Sequence, residues 1–591
     1  MNRLAPARRP LKIFAFDPTL GTAARNRIGI DIENESLAPG PVGSRIEVVD
    51  FDGANRLLYE PVDLDAPDIL MRGGLDPAES DPAFHQQMVY AVAMKVIENF
   101  ETALGRRWYF TGRRPLRLYP HAFVGRNAAY HPDLQAILFG YFRANLENVG
   151  RNLPGQTVFS CLSHDIVAHE MTHAMIDRMR AHYLEPTNPD VLAFHEGFAD
   201  IVAILQHFTF PDVLAGYVAS TRGDLRTRTP LVELASQFGF TIGVGEALRT
   251  ALDPGGAPDP TLYTTSLEPH DRGRLLVAAV FDSFLTTYAA RIRTLTRIAS
   301  GGSGILPPGQ LHPDLVAAYA DDAARTATNV LRMAIRAFEY LPPVDITYGD
   351  YLRSLVTADL ELVPDDPLEQ RNSLIEAFRA RGILPAGVTS LAAEALVWPT
   401  RTVSAPLPHQ SVVDELEAGA RAFDTAVATP RSVLGITPPA IAAFAAAHAE
   451  ELDLDPERKV AVQGFHATHR LTRESQLRVD VVLQVTQTAD QNEFGELGGV
   501  PFRGGTTIVA SSDGVVRYII GKPLPYRTPR PSDPRHQEGL RRLEALRLML
   551  GGVDRTDGRT LYAPESWYKR RLIAQASLAR LHDAAPTSAD S

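Results

Sequence analysis

His169-Glu170-Met171-Thr172-His173 decides the reading of this 591-residue chain. On a helix, residues four apart share a face, so the two imidazoles leave from one side and can close on one metal ion. Glu170 lies beside them and can meet a water at that metal without being a ligand. Further along come Glu196 and, four residues after it, Asp200. A catalytic zinc takes three protein ligands and one water, and His169, His173 and Glu196 supply that count. Two core histidines on a buried helix are the plain alternative. That alternative leaves two carboxylates and two histidines to be buried at a cost of several kcal/mol unless something neutralises them.

The surrounding sequence predicts two helices. Ser163 stands at an N-cap position, Asp165 falls in the first turn, and Ile166, Val167, Met171, Met175, Ile176 and Met179 form an apolar surface at helical spacing. Asn188-Pro189 reads as a cap followed by proline at the first helical position, opening a second helix through Leu205. Glu196 and Asp200 then share a face of it. One carboxylate can bind the metal, and the other can accept the remaining N–H of a ligating histidine and fix its tautomer.

Asp165-Ile-Val-Ala-His-Glu-Met-Thr-His-Ala-Met-Ile-Asp177 resembles the active-site helix of the thermolysin-like gluzincin metallopeptidases, and Glu196-Gly-Phe-Ala-Asp200 resembles their third-ligand helix. The resemblance implies that His169, His173 and Glu196 bind Zn2+, that Glu170 is the general base and that Asp200 orients His169. It implies an α+β fold with a two-lobed core, a sheet-containing N-terminal lobe and a helical C-terminal lobe. The implied activity is endopeptidase cleavage of a peptide or protein substrate. Asn127-Ala128-Ala129-Tyr130 resembles the family's substrate-pairing edge strand, so that the Asn127 side chain and the Ala128 carbonyl would hold the peptide. Glu268-Pro-His-Asp-Arg-Gly273, ahead of an apolar helix from Leu275, resembles the loop whose histidine meets the oxyanion, which is His270 here. The family's acidic orienter falls on Thr265, leaving Glu268 or Asp271 for that task. Tyr183 corresponds to the substrate-side tyrosine. Asp165 matches a calcium ligand, whereas its acidic partner position holds His207, which departs from the double-calcium pattern. The spacing from His173 to Glu196 is longer than the family's, with the insertion in the loop Tyr183–Asp190. Metzincins fit worse, since Ile176 and Met179 stand where they need glycine and histidine, and the Gly-Ala-Met-Glu-Asn motif of gluzincin aminopeptidases is absent. The resemblance covers roughly residues 80–385, with its motifs between 127 and 273.

Composition frames this. A hydrophobic content of 45% is that of a globular protein, and a net charge of −11 argues against a nucleic-acid partner. The single cysteine, Cys161, excludes an intramolecular disulfide framework and reads as a small buried hydrophobe at the start of the zinc helix. No run is expected to span a membrane. The Arg- and Pro-rich start followed by Leu11–Phe16 is no signal peptide, which predicts a cytoplasmic protein or export by another route.

The predicted organisation is a strand- and turn-rich segment (1–80), a zinc-binding lobe (81–210), a helical lobe (211–390), a linker (391–408) and an α+β accessory module with a disordered tail (409–591). Within the module, helices are expected at 411–427, 438–451 and 536–550. Strands are expected at 477–488, 506–511 and 515–520, the first alternating like a half-buried strand. His466-Ala-Thr-His469 lacks neighbours to complete a metal shell. Gly301–Gly304 reads as a loop, and Gly243-Val-Gly245 lacks the third glycine of a dinucleotide fingerprint. Two other functions share the motif: a silent zinc protein that binds a partner, and a zinc amidase acting on a small or cell-wall peptide.

Overall fold

A computed structural model describes residues 6–20, 26–110, 114–144, 146, 152–227, 233–234, 249–253, 256–424, 438–471, 476–490, 493–495, 497 and 500–551. Gly243–Gly245, the end of the helix expected to reach 427 and the C-terminal tail lie outside them. The fold is mixed α+β.

An antiparallel hairpin, Arg8–Phe14 with Arg27–Glu33, packs on the long helix Pro82–Leu104. That helix starts at Asp81-Pro82, because the Asp81 side chain accepts from the Ala83 N–H and Pro82 fits the first turn. It stops at Gly105, whose φ of 62° is left-handed. A Cβ there would sit 1.8 Å from the His469 carbonyl oxygen, so only glycine lets the C-terminal part approach.

The next element is a five-stranded mixed sheet. Its order is Ile46–Val48, Leu116–Val124, Ala136–Arg143 and Ala128–His131, with Thr157–Phe159 also pairing with Ala136–Arg143. Strand Ala128–His131 is an edge. The helices His164–Met179 and Pro189–His207 pack against each other, and the first also packs on that edge strand. Helices Pro211–Thr221, Pro269–Ala299, Pro313–Arg336, Tyr348–Leu362 and Gln370–Ala380 follow.

Among the described residues, helix Pro269–Ala299 is long and apolar enough to cross a membrane by length and composition, and 67% of its apolar window is buried inside the protein, as in a core helix.

The C-terminal part holds helices His409–Asp424, Pro439–Ala447 and Pro534–Gly551 and a four-stranded antiparallel sheet in chain order. Its first strand, Ala461–Leu471, carries no clear alternation and was not anticipated from sequence. Strand Leu477–Thr488 is buried on both faces rather than half-buried. Val481, Leu483 and Val485 face a core shared with Ile441 and Phe444. The opposite face holds Asp480, Val482, Gln484 and Thr486 and is covered by the helical part, with Val482 joining the main core. A polar face can be covered because its charge is compensated. Asp480 lies 3.3 Å from Arg470, 3.5 Å from Arg517 and 3.8 Å from Arg336. The expected linker also joins this sheet, Arg401 N–H donating to the Arg517 carbonyl at 2.9 Å.

Candidate metal centre

The motif helix His164–Met179 begins at Ser163, whose side chain makes no capping bond. The Pro189–His207 helix is capped as expected, Asn188 Oδ1 accepting from the Asp190 N–H at 2.7 Å. These two helices bring the motif residues together. His169 Nε2 and His173 Nε2 lie 2.9 Å apart. Glu196 Oε2 is 3.3 Å from His169 Nε2, and Glu196 Oε1 is 3.7 Å from His173 Nε2. Asp200 Oδ1 is 2.8 Å from His169 Nδ1. All five motif residues, Glu170 included, are buried.

The hydrogen bonds test whether a cation fits. A carboxylate only accepts, so His169 Nδ1 donates to Asp200 and Nε2 keeps its lone pair. His173 Nδ1 meets His195 Nδ1 at 3.1 Å. Burial pushes His195 down to about 3, so it is neutral and can accept from His173 Nδ1–H, which leaves His173 Nε2 with a lone pair. Two lone pairs then face each other beside a buried carboxylate. A metal ion resolves that arrangement, and the atoms offered by His169, Glu170 and His173 lie within 4.8 Å of one another.

Glu170 also touches the sheet. Its Oε2 accepts the backbone N–H of Tyr130 at 2.8 Å. Tyr130 is fixed in turn by its hydroxyl, which donates to Asp177 Oδ2 at 2.8 Å. Ala128 begins the same edge strand and Asn127 stands just before it, the Asn127 carbonyl accepting from the Gly140 N–H at 2.9 Å. Strand alternation turns the backbone of Ala128 and Tyr130 to the other edge, the one that meets Glu170.

His270 lies in a helix rather than in a loop ahead of one, because Glu268 caps that helix six residues earlier than its apolar run suggests. Glu268 Oε2 accepts from the Asp271 N–H at 2.8 Å, and Glu268 Oε1 lies 2.8 Å from His270 Nδ1. Burial pushes the Glu268 carboxyl up, but the His270 hydrogen bond and charge outweigh burial and hold it below the usual carboxylate range. Glu268 is therefore the orienter, and neither Thr265 nor Asp271 takes that task. His270 Nε2 stands 3.3 Å from Glu196 Oε2.

Tyr183, expected on the substrate side, is turned into the core. It is fully buried, its hydroxyl donates to the Pro342 carbonyl at 2.6 Å and its ring packs edge-on against Phe194. Its place in a short 3-10 turn after the motif helix aims it into the core. At the expected calcium position, Asp165 Oδ1 is 2.6 Å from His207 Nε2 and 3.9 Å from His164 Nδ1. That is a His–Asp–His group, not an acidic pair. His466 and His469 lie three apart on a strand and face opposite ways, toward Glu339 at 2.9 Å and the Gly105 carbonyl at 2.9 Å.

Sequence reasoning missed three contacts. The pairings of Tyr130 with Glu170 and of His195 with His173 gave no signal because they depend on contacts between elements. The third is a glycine pair. A Cβ on Gly197 would meet the Gly273 carbonyl oxygen at 2.8 Å, so the helices carrying Glu196 and His270 touch backbone to backbone.

No protein-family model matches this chain, and no curated protein matches it.

Proposed function

We propose that this protein is a zinc-dependent endopeptidase with a thermolysin-like, two-lobed core. The observation that carries the reading is the position of Glu170. Its carboxylate is held by the Tyr130 amide of an edge strand while its neighbour His169 converges with His173 and Glu196.

His169, His173 and Glu196 would hold the metal. Zinc bound there supplies a Lewis acid that acidifies water and polarises a carbonyl. Asp200 keeps the His169 lone pair directed at the site, and His195 does the same for His173. Glu170 takes a proton from water and hands it to the leaving amine. The Asn127 side chain and the Ala128 carbonyl at the start of the edge strand would hold an extended peptide. His270, protonated on both nitrogens with Nδ1–H donating to Glu268, would donate from Nε2 to the oxygen that gains charge.

The test measures metal content and cleavage of a quenched peptide library by wild type and Glu170→Gln. Glutamine can still accept from the Tyr130 amide, so the variant should fold and keep its zinc. Cleavage by wild type alone, with a loss of roughly 10²- to 10⁴-fold in the variant, is expected. Full activity in the variant would remove Glu170 as the base. Zinc in both without cleavage in either would replace the peptidase with a metal-dependent binding protein.

A further inference from the structure

A second set of donors meets in the core away from the motif. His85 lies in the first turn of helix Pro82–Leu104, His121 in strand Leu116–Val124, and Cys161 in the 3-10 turn Ser160–Leu162 that leads into the motif helix. Their exposures are 1%, 2% and 0%, and their donor atoms lie within 4.8 Å of one another.

The pattern repeats that of His169 and His173. His85 Nδ1 is 2.8 Å from His121 Nε2. Each outward nitrogen is held by an oxygen: His121 Nδ1 is 2.6 Å from Asp50 Oδ1, and His85 Nε2 is 3.0 Å from the Glu79 carbonyl. The other Asp50 oxygen accepts from Gln86 Nε2 at 2.9 Å. A carbonyl only accepts, so His85 Nε2 carries the hydrogen and Nδ1 the lone pair. Donation from His121 Nδ1 to Asp50 leaves the second lone pair on His121 Nε2. Only a proton or a metal ion can sit between them. The Cys161 sulfur lies within 4.8 Å of the histidine nitrogens in the same buried group. A proton bridge has no use for the sulfur, whereas a metal does.

We propose that His85, His121 and Cys161 bind a second transition-metal ion, zinc in the first instance, with Asp50 and the Glu79 carbonyl orienting the two histidines. Two imidazoles and a thiolate suit zinc and exclude magnesium and calcium. Phe159 packs edge-on against His85 at 4.7 Å and against His121 at 5.4 Å, and Tyr59 lies 4.9 Å from His121, which shields the group from water. The ion would tie the long helix, the sheet and the entry of the motif helix together, eight residues before His169.

Cys161 is the only cysteine, so a thiolate-to-metal absorption band reports this group and no other. The test strips the full-length protein with a chelator and titrates it with Co2+. Two equivalents should bind, with a near-ultraviolet thiolate-to-cobalt band that zinc abolishes. Cys161→Ser should bind one equivalent, keep the visible d–d bands of the other centre and lack the thiolate band. Cobalt bound to wild type without a thiolate band would overturn the site and leave a proton between the histidines. The wild-type spectrum decides this even if the variant fails to fold. It is also separate from peptidase activity, since a thiolate band without peptide cleavage leaves this site standing.

Discussion

At the residue scale, the metal group depends on which atom of each histidine holds the proton. Asp200 fixes this for His169 through a 2.8 Å contact, and His195 does so for His173 at 3.1 Å. Asp200→Ala should leave the ligands in place but weaken zinc binding by roughly 10- to 100-fold, read by competition with a calibrated chelator. Unchanged affinity would show that His169 needs no partner. His270 differs because its orienter, Glu268, is two residues before it and also caps its helix. One carboxylate thus performs a folding task and a positioning task with separate oxygens.

At the element scale, the crossing of helices Pro189–His207 and Pro269–Ala299 sets the distance from Glu196 to His270. Gly197 and Gly273 make that crossing close, and a Cβ on Gly197 would meet backbone, which cannot swing aside as a side chain can. Gly197→Ala should destabilise the fold by about 1–3 kcal/mol, the usual range for overpacking. It should also lower activity more than its stability loss explains, because His270 moves away from Glu196. Denaturation and kcat measured on the same sample check both. A variant as stable and active as wild type would mean that the helices separate at no cost. The glycine is plain in the sequence, but the need for it arises only where two helices cross.

At the scale of the whole molecule, the C-terminal sheet is built into the protein rather than appended to it. Arg470 reaches Glu361 at 2.6 Å, and Asp480 lies among Arg470, Arg517 and Arg336. Removing one partner leaves buried charge uncompensated, so Asp480→Ala should cost about 3–5 kcal/mol, measured by denaturant unfolding. A change near zero would mean that the sheet face is already solvated. Acid should loosen the same junction. Burial and Arg106 push His466 down to about 4, against its hydrogen bond to Glu339. An unfolded histidine takes its proton near 6.5, so between pH 6.5 and about 4 the unfolded chain binds a proton that the folded one refuses. His466 therefore subtracts stability as pH falls through that window, at about 1.4 kcal/mol per pH unit. His466→Asn should flatten the pH dependence of the unfolding free energy there. An unaltered slope would assign the acid sensitivity to other groups.

The sequence by itself determined the local order. The motif histidines, the two motif helices and the capped end at Asn188 follow from residue spacing and cap chemistry, which act within a few residues. It also put Glu196 and Asp200 on one helix face, because helical periodicity is intrinsic to the chain. Only the tertiary structure decided what lies across from what: Tyr130 against Glu170, His195 against His173, Glu268 as the partner of His270, and Tyr183 turned into the core. It also decided that a strand with a polar face is buried on both sides and that Cys161 meets two histidines from distant segments. These depend on contacts between residues far apart in the chain, and neither periodicity nor local propensity encodes which distant groups will neutralise a buried charge.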